Sequence, residues 1–132
     1  MTVRAILEDK GRDVVTMRPD QSLAEATRLM AERRIGAVVV TRSDGRTAGI
    51  LSERDIVRAL AEAGAAALDK PVSTAMTVGV RVCRESHTVN EVMEMMTHGR
   101  FRHLPVEGEG QLVGIVSIGD VVKRRIEAVE RE

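Results

Sequence analysis

The residues best suited to chemistry sit in a seven-residue pattern, Gly-hydrophobic-x-Ser-x-x-Asp, that the chain carries twice. The copies are Gly49-Ile50-Leu51-Ser52-Glu53-Arg54-Asp55 and Gly114-Ile115-Val116-Ser117-Ile118-Gly119-Asp120. Each closes a β-prone apolar run and opens a helix-forming one. A serine at that junction can cap the helix, and an acidic residue three positions on completes a capping box. Capping accounts for either copy taken singly. Two further features favour a binding site. Free N–H groups of a helix that starts at a strand end face a crevice where phosphate can bind, and a carboxylate there can accept both hydroxyls of a ribose. Ser and Asp also persist in both copies while the residues between them diverge.

Other chemistry finds little support. Ser117, His103 and Asp120 are the residue types of a hydrolase triad, but the strained Gly-x-Ser-x-Gly nucleophile turn is absent and Asp120 is accounted for by its repeat partner Asp55. No catalytic residue is assigned, and the chain is not expected to be an enzyme. His87, His98 and His103 lack metal-ligand spacing, so no metal is expected beyond magnesium accompanying ATP. Lys+Arg and Asp+Glu both number 20; this balance argues against DNA or RNA, whose phosphates call for a basic excess. Phe101 is the sole aromatic residue, so base stacking on aromatic platforms is unavailable and a bound purine must lie against aliphatic side chains and backbone. The single cysteine, Cys83, permits no intrachain disulfide and reads as a buried apolar residue, in keeping with a cytoplasmic location. No apolar run approaches the roughly 20 residues that span a bilayer. The segment from Met1 to Asp9 lacks the basic-then-apolar pattern of a signal peptide.

A duplicated unit must position the two motifs. Ser22-Leu23-Ala24-Glu25-Ala26 recurs as Thr88-Val89-Asn90-Glu91-Val92, 66 positions on, and the same shift pairs Met30 with Met96, Arg34 with Arg100 and Val40 with Val106. One residue is lost in the turn, and a 65-residue shift then pairs Gly49 to Ser52 with Gly114 to Ser117, and Asp55-Ile56-Val57 with Asp120-Val121-Val122. The duplication runs from about Val14 to Arg58 and from Val80 to Lys123. In copy one, Val14 to Met17 predicts a strand ended by Pro19-Asp20. Leu23, Ala26, Thr27 and Met30 then form the stripe of an amphipathic helix, with Ser22 as N-cap. Gly36 is expected to release the helix into a buried strand, Ala37 to Val40. Ser43-Asp44-Gly45 is a turn signal, followed by a strand from Thr47 to Leu51 and a helix from about Glu53 to Ala63. In copy two the matching pieces are Val80 to Cys83, Val89 to Gly99, Arg102 to Val106, Leu112 to Val116, and Gly119 to about Arg131. The Ala-rich connector, Gly64 to Pro71, reads as a helix extension. The division by sequence is 1–70 for the first repeat and 71–132 for the second. A unit of about 45 residues buries too little apolar surface alone. Two packed sheet against sheet do not face that limit, and the duplication supplies a pseudo-twofold axis.

These segments, together with Arg34-Ile35-Gly36-Ala37-Val38-Val39-Val40 and Arg100-Phe101-Arg102-His103-Leu104-Pro105-Val106, resemble the CBS family, and their pairing resembles a Bateman module over nearly the whole chain, from about Val3 to Glu127. The resemblance implies an α/β (α+β) fold of two β-α-β-β-α repeats and two clefts that bind an adenine nucleotide such as AMP, ATP or NAD. In it, the Asp of Ser-x-x-Asp takes ribose hydroxyls, Ser and nearby basic groups take phosphate, and adenine lies against the first strands of the partner repeat. One cleft is expected to join Val15, Thr16, Gly36 and Ala37 to Ser117 and Asp120. The other is expected to join Thr77, Val80, Arg102 and His103 to Ser52, Arg54 and Asp55. Charge-assisted contacts to phosphate are the stronger kind, so the cleft with Arg54 and Arg102 should prefer the more highly phosphorylated ligand. The expected function is that of a nucleotide sensor, homodimeric through its helices and acting on an effector protein in trans. The alternatives are a ligand-free dimerising adaptor and a sensor of S-adenosyl ligands.

Overall fold

A computed structural model describes residues 1–130 of the chain. Its elements run α1 (Val3–Lys10), β1 (Thr16–Met17), α2 (Leu23–Arg33), β2 (Ala37–Thr41), β3 (Thr47–Ser52), α3 (Glu53–Ala63), α4 (Val89–Gly99), β4 (His103–Gly108), β5 (Gln111–Ser117) and α5 (Ile118–Glu130). The fold is therefore mixed helix and strand, as expected. The expected end of the last helix, at Arg131, lies outside the described residues. No helix among the described residues is long and apolar enough to cross a membrane.

The chain divides into two compact units, Val15–Val80 and Met1–Val14 with Arg81–Glu132. Each unit holds the strands of one repeat plus the segment that precedes the other repeat in sequence. The N-terminal segment, grouped by sequence with the first repeat, thus packs in the second-repeat unit, and residues 71–80 pack in the first-repeat unit.

In the first-repeat unit, β1 runs parallel to β2 and β2 antiparallel to β3, with Thr16 opposite Val39 and Val38 opposite Leu51. Ser22 caps α2 by accepting the Glu25 N–H at 3.1 Å. Leu23, Ala26 and Met30 are the buried stripe of that helix, and they pack with Met17, Val38, Val40, Leu51, Ile56 and Val72. Gly36 does not end the helix. Arg34 does, in the left-handed region at φ 54°, and Arg100 ends α4 in the same way at φ 57°. That conformation costs a non-glycine residue about 1–2 kcal/mol; it lets Ile35 and Phe101 return their N–H groups to Met30 and Met96 at 3.1 Å. The connector is not a helix extension. Gly64, at φ 63°, leaves the helical region, and two 3-10 turns follow at Gly64–Asp69 and Val72–Thr74, parted by Pro71.

In the second-repeat unit, β4 and β5 form a two-stranded antiparallel sheet, covered by α4, α5 and α1. Helix α1 has no sequence forecast behind it. At 8 residues it is far below the length at which an isolated helix holds in water, so its stability comes from docking. Val3, Ile6 and Leu7 are its buried face and join Val92, Met96, Leu104, Val106 and Val116 in one core. The expected strand from Val80 to Cys83 shrinks to a single parallel bridge between Cys83 and Val106. Its cause is one residue. In the first repeat Val39 donates its N–H to Val15 at 3.2 Å; the matching position in the second is Pro105, which has no N–H to give.

Candidate functional site

Both Ser-x-x-Asp motifs lie where the last strand of a sheet, β3 or β5, ends and a helix begins. At the first, Asp55 closes a capping box: its Oδ2 accepts the Ser52 N–H at 2.9 Å and the Ser52 hydroxyl at 3.1 Å, while Ser52 Oγ accepts the Asp55 N–H at 3.4 Å. Asp55 is 3% exposed and is the one buried charged residue among the described residues. Two donors from outside the box reach it, Arg58 Nη1 at 3.2 Å and Thr77 Oγ1 at 3.3 Å. Thr77 is brought there by backbone pairing. Ile50 and Thr77 exchange N–H···O bonds of 3.0 and 2.8 Å. The approach is so close that a Cβ on Gly49 would lie 2.5 Å from the Thr77 carbonyl oxygen and 3.2 Å from Met76 Sδ. Glycine is required for that contact. Ala37 stands opposite Ser52, and Gly36 accepts the Glu53 N–H at 3.0 Å. Beside Asp55 opens a cleft of about 230 Å3 lined by Arg58, Glu62, Lys70 and Thr74 among others.

The second motif repeats the frame with different partners. Asp120 Oδ2 accepts the Ser117 N–H at 2.8 Å, and Ser117 Oγ accepts the Asp120 N–H at 3.1 Å. The outside donor is Lys10, whose Nζ donates to Asp120 Oδ2 at 2.7 Å and to the Ile115 carbonyl at 3.1 Å. A Cβ on Gly114 would meet Leu7 side-chain carbons at 2.8 and 2.9 Å. His103 stands opposite Ser117, and Arg102 accepts the Ile118 N–H at 2.8 Å. Partial burial acts to raise the Asp120 carboxyl, but the Lys10 ammonium and the Ser117 N–H and hydroxyl outweigh it and hold the group below the usual carboxylate range. Burial first, then the positive charges of Lys10 and Arg102, lower His103 against the opposing pull of Asp120. The imidazole is therefore neutral at neutral pH.

Within the first-repeat unit Gly36, Ala37 and Thr77 contact the Ser52 to Asp55 segment, and within the second-repeat unit Arg102 and His103 contact the start of the Ser117 to Asp120 segment. Val15 serves the ladder through its carbonyl, and Thr16 is exposed beside it. Arg54 is exposed in the first turn of α3, and Val80 is half-buried at the end of its unit. Two contributors were not singled out. Arg58 was legible, three positions after Asp55 on the same helix. Lys10 was not, because it reaches Asp120 across 110 positions of sequence. Cys83 is fully buried, and its thiol is pushed up to about 12 by desolvation; it is not a nucleophile. Among the described residues no group of His, Cys, Asp or Glu is arranged to hold a metal ion.

The chain is similar to known proteins in sequence and in fold. The CBS domain family matches residues 3–62 and 72–127. The crystal structure of a CBS-domain containing protein from Agrobacterium tumefaciens superposes with a TM-score of 0.89 at 54% identity, covering 94% of this chain and 92% of that one. A CBS domain pair solved in complex with 5′-methylthioadenosine and S-adenosyl-L-methionine superposes at 0.84 with 25% identity, covering 97% of each chain. An uncharacterized 17.7 kDa protein of Acidianus ambivalens is 38% identical over 83% of this chain. The chain spans 66% of that relative's length and 22% of an inosine-5′-monophosphate dehydrogenase from Methanocaldococcus jannaschii.

Proposed function

The chain belongs to the CBS domain family, and we propose that it is a regulatory module that binds an adenine nucleotide, of the AMP, ADP, ATP or NAD type, and catalyses nothing. The carrying observation is that each Ser-x-x-Asp carboxylate is engaged by a donor from outside its own capping box, Thr77 on Asp55 and Lys10 on Asp120. A cap needs neither. Donors of this kind mark an acceptor with capacity beyond the helix start, and ribose hydroxyls are donors that can take their place. The short bonds to Ser52 and Ser117 then hold each carboxylate oriented. Phosphate falls to the helix N-terminal N–H groups and neighbouring cations, Arg54 and Arg58 in one unit and Arg102 in the other. Magnesium enters only with ATP.

The relative solved with 5′-methylthioadenosine and S-adenosyl-L-methionine supports the adenosyl half of this reading. It also favours a second one, an S-adenosyl ligand in the same clefts. Exposed apolar side chains on α3 (Val57, Leu60) and α5 (Ile118, Val122, Ile126) support a homodimer through the helices. Output passes by population shift to an effector protein in the cytoplasm: a ligand moves the equilibrium only as far as its differential affinity allows. Neither membrane nor nucleic acid is a partner in this reading.

Calorimetry with AMP, ATP, NAD, S-adenosylmethionine and 5′-methylthioadenosine tests it, on the parent and on Asp55→Ala and Asp120→Ala. Each substitution should remove one binding step. Two variants that bind like the parent would sink the ribose assignment, and silence with every ligand would leave the ligand-free adaptor.

A further inference from the structure

The incoming segments bring the two carboxylates donors of different charge. In the first-repeat unit the incoming chain runs extended beside β3, pairs its backbone with Ile50, and offers Asp55 the neutral hydroxyl of Thr77. In the second-repeat unit the incoming chain is α1, which ends at Lys10 with Gly11 as its cap at φ 100°. Among the described residues no backbone group of α1 pairs with Ile115. The Lys10 ammonium supplies both contacts instead, to the Ile115 carbonyl and to Asp120.

The exchange that a ligand must make therefore differs between the sites. A ribose hydroxyl arriving at Asp55 replaces the Thr77 hydroxyl and leaves Arg58, from the same helix, on the carboxylate. Arriving at Asp120, it replaces an ammonium and parts a cation from its counter-ion. Of the side chains beside it, His103 is neutral and Arg102 is itself positive, so neither gives that cation a new anion. A 5′-phosphate carried by the ligand does. The helix is anchored by Val3, Ile6 and Leu7, each at most 2% exposed, whereas the Lys10 side chain is 33% exposed. The ammonium can thus move from carboxylate to phosphate while α1 stays in place.

We infer that Lys10 makes the Asp120 site selective for 5′-phosphorylated adenosine over an uncharged 5′-thioether of adenosine, while the Asp55 site takes either. This rests on the nucleotide-binding reading above. The discriminating pair is AMP and 5′-methylthioadenosine, which differ at the 5′ position alone.

Two-site calorimetry with both ligands on the parent and on Lys10→Met, with Asp55→Asn to assign the steps, reads the preference directly. Lys10→Met should lower the AMP to 5′-methylthioadenosine affinity ratio at the Asp120 step about tenfold, the equivalent of one charge-assisted bond, and leave the Asp55 step unmoved. A ratio unchanged, or both ligands weakened equally, overturns the inference. Should the substitution unfold the protein, lysine acylation of the parent followed by mass spectrometry decides. Lys10 should label faster with saturating 5′-methylthioadenosine, which frees it, and stay protected with AMP; equal labelling rates overturn the inference. If neither ligand binds the parent, the nucleotide reading itself falls, an outcome distinct from binding without discrimination.

Discussion

The first-repeat and second-repeat units solve one structural problem with different local structure. Each has a glycine in its last strand, Gly49 or Gly114, over which a side chain from the incoming segment sits, Met76 in one and Leu7 in the other. Each has an isoleucine carbonyl that takes a donor from that segment, and a capping aspartate that takes another. One segment is extended chain after two 3-10 turns, and the other is an α-helix. The slot is thus specified by the sheet and the helix it packs on. Whatever chain enters must bring an apolar plug and two donors, and its secondary structure is free to vary.

The sharpest way to break this comparison is to empty the plug. Leu7→Ala should cost about 3 kcal/mol, the range for truncating a fully buried leucine. The loss should fall on the second-repeat unit although Leu7 lies at the N-terminus of the chain. Hydrogen exchange reads it: amides of β4 and β5 should lose protection while those of β2 and β3 keep theirs. Damage centred on β2 and β3 would mean that α1 belongs with the first repeat after all.

A smaller effect separates the two plugs. Gly49→Ala drives a Cβ against a backbone oxygen held by two hydrogen bonds, which cannot retreat without parting Ile50 from Thr77. It should cost about 2 kcal/mol by overpacking. Gly114→Ala meets only the methyl ends of Leu7, which can rotate, and should cost about half as much. In the Leu7→Ala background the Gly114→Ala change should cost nothing, because the clash partner is gone. Denaturant unfolding of the four variants measures this; equal costs for the two glycines would show that the slots are alike in rigidity as well as in plan.

How much of this was legible depended on where the signal lay. Helix α3 runs over Glu53–Ala63 and α4 over Val89–Gly99, as the cap at Ser52 and the recurrence of the Ser22 segment at Thr88 predict, because a cap and a period act within a few residues. Strands β2 and β3 were readable for the same reason. The end of α2 was misread, since a left-handed arginine carries no local mark and Gly36 offered a more familiar one. Helix α1 and the missing strand before Cys83 were out of reach. One exists only by docking on a distant core, and the other fails because of a proline in a different strand. The site divides likewise. Ser52, Asp55, Ser117 and Asp120 are local motifs, whereas Lys10 belongs to Asp120 only once the chain has folded.

The comparison also predicts which unit acid reaches first. All three histidines, His87, His98 and His103, fall in the second-repeat unit. His103 is held below its ordinary value in the fold, by burial and then by Lys10 and Arg102. The unfolded chain therefore binds a proton there that the folded chain refuses, so the stability gained is present above about pH 6.5 and is lost as pH falls through the folded value. Asp120, also held low, contributes stability above about pH 4 that disappears on further acidification. Between pH 7 and 5 the amides of β4 and β5 should thus lose protection before those of β2 and β3. His103→Gln should flatten that slope, because its amide stays neutral across the range. A slope that survives the substitution would detach the acid response from His103, and with it from the cation that Lys10 places beside Asp120.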